Sequence, residues 1–404
     1  MILDRLLIHQ VRQRVKASGL PLVVELWTGQ KLGQDRSSAV RMRLHQTAGL
    51  KAMADPSLGT LARSYVEGAL DLDGNIRDIL ALGDRLCNAG DRAPKTGSDD
   101  WKWWRHTRSK DRKNIQHHYD VSNDFYALWL DERRVYSCAY FKTPDMSLEA
   151  AQEAKLDHIC RKLDLKPGEQ FLDIGCGWGG LILHAAECYG VHAVGITLSD
   201  DQHAYVRQQI ESRGLTDRIE VRRMDYRDVP ETGGYDKIAS VGMFEHVGRS
   251  NLQTYFDKIA ALLKPGGLVL NHGITTSNPE ASGLGSGIAE FIEEYVFPGG
   301  ELVHASDVLR SASGSGLECL DAENLRPHYG KTLWHWVTRL DQHSGEARRL
   351  VGEQKYRIWR IYLGGSAYAF DHGWMELWQV LAGKGIDGNQ PNYPFKRDFI
   401  YRSE

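Results

Sequence analysis

Asp173, Gly175, Gly177 and Gly179 fall within FLDIGCGWGG, residues 171–180, and their spacing is that of a loop that wraps a nucleotide-like ligand. The stretch satisfies two templates. Gly175, Gly177 and Gly180 fit the GxGxxG of a dinucleotide site, whereas Asp173, Gly175, Gly177 and Gly179 fit the DxGxGxG loop that many methyltransferases use for S-adenosylmethionine. A dinucleotide site wants an acid about 20 positions further on, at the end of the second strand, to hold the ribose hydroxyls. That strand ends GITLSDDQ, with Thr197 in the acid's place. Asp200 and Asp201 fall in the first turn of the next helix, where acids complement its dipole. A dehydrogenase therefore lacks its ribose acid. A typical methyltransferase also prefers one, so these residues alone leave the cofactor open, and each glycine alone is compatible with a plain strand-to-helix turn.

A second candidate is Glu245 in SVGMFEHVG, a carboxylate straight after an apolar strand, where an unpaired charge is costly. Its bland reading is a loop acid paired with His246. The six cysteines form no CxxC pair and follow no zinc spacing, so they read as reduced thiols of a cytosolic protein. With 50 Lys plus Arg against 53 Asp plus Glu, the net charge of −3 argues against a dedicated nucleic-acid binder. The N-terminal MILDRLLIHQVRQRVK has no apolar run long enough for a secretory signal. Nowhere do eighteen apolar residues follow one another, so any membrane contact is expected to be peripheral.

The elements that must position these residues follow a recognisable order. LVVELW from Leu22 and AVRMRLH, with Val40, Met42 and Leu44 alternating against Arg41 and Arg43, predict two short strands. Helical patterns in LGTLARSYVEGAL and NIRDILALGDRLC, the latter capped by Asn75, complete a small α/β domain over 1–88. Residues 89–113 read as a linker. Its WKWWRHTRSKDRK (101–113) sets three tryptophans beside six basic residues, which suits a membrane surface at roughly 1 kcal/mol per basic side chain. A solvated linker whose tryptophans pack on the domain behind is the other reading. From Phe171, strand and helix patterns alternate, which predicts a doubly wound parallel sheet covered on both faces, with the glycine loop after its first strand. An aromatic, helix-like stretch (281–374) interrupts the alternation before MELWQVLA returns to strand, which predicts a helical cover inserted over the sheet edge. The second domain is placed at 114–390 and 391–404 reads as a partly ordered tail.

Five motifs in order, YSCAYF (136–141), LDIGCGWGG (172–180), GITLSDDQ (195–202), MDYRD (224–228) and SVGMFEHVG (240–248), resemble the cyclopropane-fatty-acyl-phospholipid synthase family. The resemblance runs from about Asn114 to Leu381, and more weakly through LARSYVEGALDLDG of the small domain. It implies a Rossmann-like class I methyltransferase fold and S-adenosylmethionine as cofactor. Thr197, Leu198, Ser199 and Gln202 match the family's second-strand motif, and Tyr136, Ser137, Tyr226 and Arg227 stand where family motifs touch the same cofactor. The reaction implied is methyl transfer to a cis double bond of an unsaturated phospholipid chain, then proton loss and ring closure.

The resemblance also implies a bicarbonate ion as the base, held by the residues matching Cys138, Glu245, His272, Ile274 and Tyr329. Two like charges 4 Å apart repel by roughly 4 kcal/mol at an effective dielectric of 20, so Glu245 beside an anion needs an explanation. Bicarbonate has one hydroxyl, which can donate to Glu245 while His272, Tyr329 and backbone N–H groups near Cys138 and Ile274 donate to its other oxygens. The cation left by an alkene's attack needs a dry pocket and aromatic faces, worth roughly 2 kcal/mol or more each. Tyr140, Phe141, Phe244, Phe291, Tyr295, Trp334 and Trp336 are the aromatic candidates, two or three of them expected to face the chain. Branching of the acyl chain without ring closure, small-molecule N-methylation and lipid binding by a degenerate cofactor fold remain rivals. The resemblance further implies a homodimer at the inner face of the membrane.

Overall fold

The computed structural model describes residues 2–33, 40–88, 122–232, 234–279, 287–297, 301–391 and 393–401. The expected linker at 89–113, with its tryptophan-rich basic stretch, lies outside them. Alternation along VRMRL buries Val40, Met42 and Leu44 and leaves Arg41 and Arg43 exposed, as expected of a strand with one wet face. It belongs to a small domain ordered α1 (Ile2–Ser18), β1 (Leu22–Leu26), β2 (Lys31–Gly33), β3 (Val40–Leu44), α2 (Thr47–Ala54), α3 (Leu58–Val66), β4 (Leu70–Asp73) and α4 (Ile76–Asn88). The four strands pair in the order β2-β1-β3-β4, with β1 and β3 parallel and the other pairs antiparallel. Ser57 and Thr60 form a capping box on α3, and the Asn75 side chain accepts from Arg77 N–H at 2.9 Å to start α4. The helix expected through Leu70 stops earlier. Gly68 turns left-handed at φ 74°, and the next residues enter the sheet as β4.

The larger domain runs α5 (Asn123–Ala127), α6 (Leu148–Lys162), β5 (Gln170–Ile174), α7 (Gly180–Tyr189), β6 (His192–Thr197), α8 (Asp200–Ser212), β7 (Ile219–Arg223), β8 (Tyr235–Val241), α9 (Leu252–Leu262) and β9 (Leu263–Thr276). It continues with α10 (Ile288–Tyr295), α11 (Ala305–Gly314), β10 (Leu317–Asn324), α12 (Arg326–Gln342), α13 (Ser344–Asp371), β11 (Met375–Lys384) and α14 (Asp398–Tyr401). Seven strands form one sheet in the order β10-β11-β9-β8-β5-β6-β7. Separate apolar clusters pack on its two faces, so the sheet is doubly wound as expected.

Two details differ. The sheet is parallel only from β9 to β7, because β11 runs antiparallel to both β9 and β10. The strand β10 also sits inside the stretch read as helical cover. It is an edge strand, largely half-exposed and carrying Glu318, Asp321 and Glu323, so its apolar signal is weak. The remainder of that stretch supplies the cover, α10, α12 and α13, the last broken at Gly352. Its core merges with that of the small domain. Polar contacts fix the junction: Arg357 donates to Tyr65 O at 2.9 Å and pairs with Asp71 at 2.7 Å, and Tyr368 OH donates to Asp84 at 2.8 Å. In the tail, Tyr393 OH donates to Lys162 O at 3.0 Å, and α14 packs against α6. Among the described residues no helix is long and apolar enough to cross a membrane.

Candidate active site

The strand order reverses at β5, whose neighbours are β8 and β6, and a crevice opens there beyond the carboxyl ends of the strands. The glycine loop forms its floor. Gly175, Gly177 and Gly179 all have positive φ, and Gly175 and Cys176 N–H both donate to Ile196 O, pinning the turn to β6. Asp173, Gly175, Gly177, Thr197, Leu198, Gln202, Tyr226, Arg227, Tyr136 and Ser137 line this pocket. Gly179 and Ser199 do not line it. They cap the helices beside it, Gly179 on α7 and Ser199 on α8, where the Ser199 hydroxyl accepts from Gln202 N–H at 3.3 Å. Thr197 Oγ1 donates to Gln202 Oε1 at 2.8 Å, so the threonine orders the start of α8. Asp200 pairs with Arg223 on the surface, and neither it nor Asp201 lines the pocket.

Asp173 is buried at the pocket floor, and its Oδ1 has no partner among the described residues. Burial raises its carboxyl to about 7, with Lys155 opposing the shift. Lys155 is the functional candidate that sequence reading missed. It lines the same pocket from α6, is buried, and donates to Ser137 Oγ at 3.0 Å. Burial lowers its ammonium to about 8, while Asp131 and then Asp173 pull the other way. A signal was present: Lys155 and Lys162 sit seven apart on a helix face shared with Leu148, Leu156 and Ile159, where a solvated lysine does not belong.

Tyr136, Ser137, Gly242 and His246 line both this pocket and a second cavity of about 130 Å³. All five residues of the expected anion set, Cys138, Glu245, His272, Ile274 and Tyr329, line that cavity. Glu245 lies on a single 3₁₀ turn after β8, held by β9: Ile274 N–H donates to its Oε1 at 2.8 Å, and Gly273, without a side chain, leaves room for the Phe244 ring. Glu245 Oε2 has no partner among the described residues, and burial lifts the carboxyl to about 7. His272 and Ile274 share one face of β9, with Gln379 of β11 opposite His272. The Gln379 amide donates to His272 Nδ1 at 3.1 Å, which leaves the ring hydrogen on Nε2, an atom that also has no partner there. Burial pushes the imidazole well below its ordinary range, so it is neutral. Cys138 is buried, donates to Ala139 O at 3.2 Å and has its thiol pushed up by burial, which makes it a poor nucleophile.

Two expectations change. The Ile274 N–H was expected near an anion oxygen, but it is committed to Glu245 and therefore orients the carboxylate. The aromatic rings facing the cavity are Tyr136, Phe297, Tyr329, Tyr362 and Phe370, none of them among the seven nominated from sequence. Tyr140 is stacked between His158 and His328, Phe141 lies against His335, and Trp334 lies under Arg77 of the small domain. Tyr140, Phe141 and Trp334 are thus committed to packing, whereas Phe291 lines a neighbouring cavity.

The chain is similar to several known proteins. A family model described as "Mycolic acid cyclopropane synthetase" matches residues 106–380. A "Probable fatty acid methyltransferase" of Pseudomonas putida is 43% identical over 401 residues, covering 98% of this chain and 100% of that protein. The "Cyclopropane-fatty-acyl-phospholipid synthase" of Escherichia coli (strain K12) is 38% identical over 270 residues, 67% of each chain. A crystal structure of mycolic acid cyclopropane synthase CmaA1 complexed with SAH and CTAB superposes with a TM-score of 0.64 at 36% identity, covering 68% of this chain and 98% of that one. The larger domain has the class I methyltransferase fold.

Proposed function

The chain belongs to the mycolic acid cyclopropane synthetase family and is an S-adenosylmethionine-dependent methyltransferase, and from that premise we propose that it builds a cyclopropane ring across a cis double bond of a phospholipid acyl chain. S-adenosylmethionine supplies the electrophilic methyl group and bicarbonate the base that takes a proton from it after transfer. One observation carries the reading. Two orphaned buried atoms, Glu245 Oε2 and the Nε2 of neutral His272, line one aromatic-walled cavity that shares a wall with the glycine-loop pocket.

The residues suit both groups. Asp173, with an unsatisfied oxygen, offers an acceptor to an ammonium, and Tyr136, Thr197, Gln202, Tyr226 and Arg227 complete the walls around a nucleoside. In the neighbouring cavity His272 Nε2–H donates and Glu245 Oε2 accepts, a complementary pair for an anion bearing one hydroxyl. An ionised Glu245 beside an anion with no hydroxyl would be repelled, so the carboxylate selects a protonated oxyanion. The volume holds several water-sized groups, enough for such an ion and a stretch of hydrocarbon. Where the two cavities adjoin, the alkene would take the methyl carbon as its bond to the sulfonium sulfur breaks, leaving a neutral thioether and a cation on the acyl chain. Tyr136, Tyr329, Tyr362 and Phe370 present ring faces to it, and Leu333 and Leu377 exclude water that would trap it. A lipid substrate places the reaction at a membrane surface, for which the tryptophan-rich basic sequence 101–113 is suited. Two copies acting as a homodimer would engage one membrane together.

A second reading is methyl transfer without ring closure, favoured by the full-length relative named a probable fatty acid methyltransferase. Incubation with methyl-labelled S-adenosylmethionine, monounsaturated phospholipid liposomes and bicarbonate tests both. A gain of CH2 on the acyl chain, resolved as a ring by nuclear magnetic resonance, is expected. A methyl or methylene branch supports the second reading, and label on soluble amines with none on lipid overturns both.

A further inference from the structure

Beside the reaction cavity lies another that nothing above explains. Ile292, Tyr362, Ser366 and Met375 line both. This inner space, about 90 Å³, lies between the two domains, walled on one side by α3, α4 and β4 of the small domain and on the other by α10 and α13. Among the described residues no charged side chain lines it. Protein interiors are close-packed, and an empty apolar void forfeits dispersion contacts on every wall. A cavity kept open between firmly joined domains therefore points to an apolar occupant.

The glycine pair at 364 and 365 on α13 carries the argument further. A Cβ at Gly364 would lie 2.7 Å from Ile76 and 3.1 Å from Leu80, so that glycine is required for the small domain to dock. At Gly365 a Cβ would meet nothing within 4 Å, and its φ is not in the left-handed region. A glycine inside a helix is less favourable than alanine, and neither packing nor backbone geometry demands this one. What it does is line the inner cavity, where any side chain would project into the space.

We propose that this interdomain cavity receives the methyl-terminal segment of the acyl chain beyond its double bond, that the small domain supplies half its wall, and that Gly365 sets its depth. This rests on the reading of the substrate as an acyl chain. The uncharged lining fits the hydrocarbon end and would exclude the ester and headgroup. It also gives the small domain a role in substrate choice, a domain outside residues 106–380 that the family model matches.

The test uses the full chain, with Gly365→Ala and Gly365→Leu. Binding is read first, without turnover, by quenching of Trp374, which lines the cavity, using phospholipid vesicles whose acyl chains carry bromine near the methyl end. The wild type should be quenched, Trp374→Phe should lose that component, and Gly365→Leu should bind roughly tenfold more weakly with a melting temperature no lower than the wild type's. Turnover is then compared on chains with the double bond at one distance from the carboxyl and methyl-terminal segments of increasing length. Gly365→Leu should lose the longest first and keep the shortest within about twofold, with Gly365→Ala between it and the wild type. Quenching without methyl transfer would fell the functional reading and leave the cavity's role standing. Absence of Trp374-dependent quenching, or a length profile unchanged in Gly365→Leu, would overturn the inference.

Discussion

Replacing Glu245 by glutamine should abolish most turnover while stabilising the fold, and the second effect can be sized from burial. The carboxyl is lifted from 4.5 to about 7, chiefly by desolvation, with the Ile274 N–H opposing the shift. Between those values the folded chain holds a proton that the unfolded chain has released, so stability falls as pH rises. Below 4.5 both states are protonated and the carboxyl costs nothing; above about 7 the cost is complete. At about 1.36 kcal/mol per pH unit the interval amounts to about 3 kcal/mol. Glutamine keeps an oxygen for Ile274 N–H and carries no charge. In carbon-dioxide-depleted buffer at about pH 8.5 the variant should therefore melt about 3 to 4 °C above the wild type, given an unfolding entropy of roughly 2 cal/mol/K per residue. The gap should close as pH approaches about 5, and added bicarbonate should raise the wild type's Tm more than the variant's. Scanning calorimetry across pH makes the measurement. A gap that ignores pH, or a variant less stable at alkaline pH, would refute the reasoning.

Cys138→Ser should retain turnover within about fivefold, because serine can still donate to Ala139 O and no step needs the thiolate; a loss as deep as that of Glu245→Gln would reverse the assignment. Turnover of the wild type should fall as pH drops through about 7, since Glu245 must be ionised to accept from the ion's hydroxyl, and a pH–rate profile checks this. Lys155→Met removes the donor to Ser137 and the cation nearest Asp173, and should weaken binding of S-adenosylhomocysteine by roughly ten- to a hundredfold in calorimetric titration. Gly273→Ala drives a methyl group into the Phe244 ring and crowds Glu245 Oε1, so it should lower stability by roughly 1 to 3 kcal/mol in denaturant titration and lower turnover as well.

Local pattern carried far along this chain where an element has one clear face. Val40 to Leu44 alternate because one side is wet, and the glycine loop is legible because three of its glycines take positive φ. The five residues of the anion set come from four separate stretches, and only resemblance could group them; the sheet then brings three of them together, since Glu245 follows β8 and His272 and Ile274 lie on the neighbouring β9. What could not be read depends on tertiary direction. Trp334 and Tyr329 occupy one helix, yet one meets Arg77 of the small domain and the other faces the cavity. The Ile274 N–H looks like any strand donor until Gly273 lets Glu245 approach it. The edge strand β10 was hidden by its own charges. Lys155 was legible in principle, as a charge on a buried helical stripe.

The claim on which the account turns is that a captured protonated oxyanion, held by Glu245 and His272, removes the proton. The rate of label transfer to monounsaturated liposomes, followed in carbon-dioxide-depleted buffer as bicarbonate is titrated in, tests it most directly. A saturable rise in the wild type, absent from Glu245→Gln, is the predicted result. A wild-type rate indifferent to bicarbonate would contradict it.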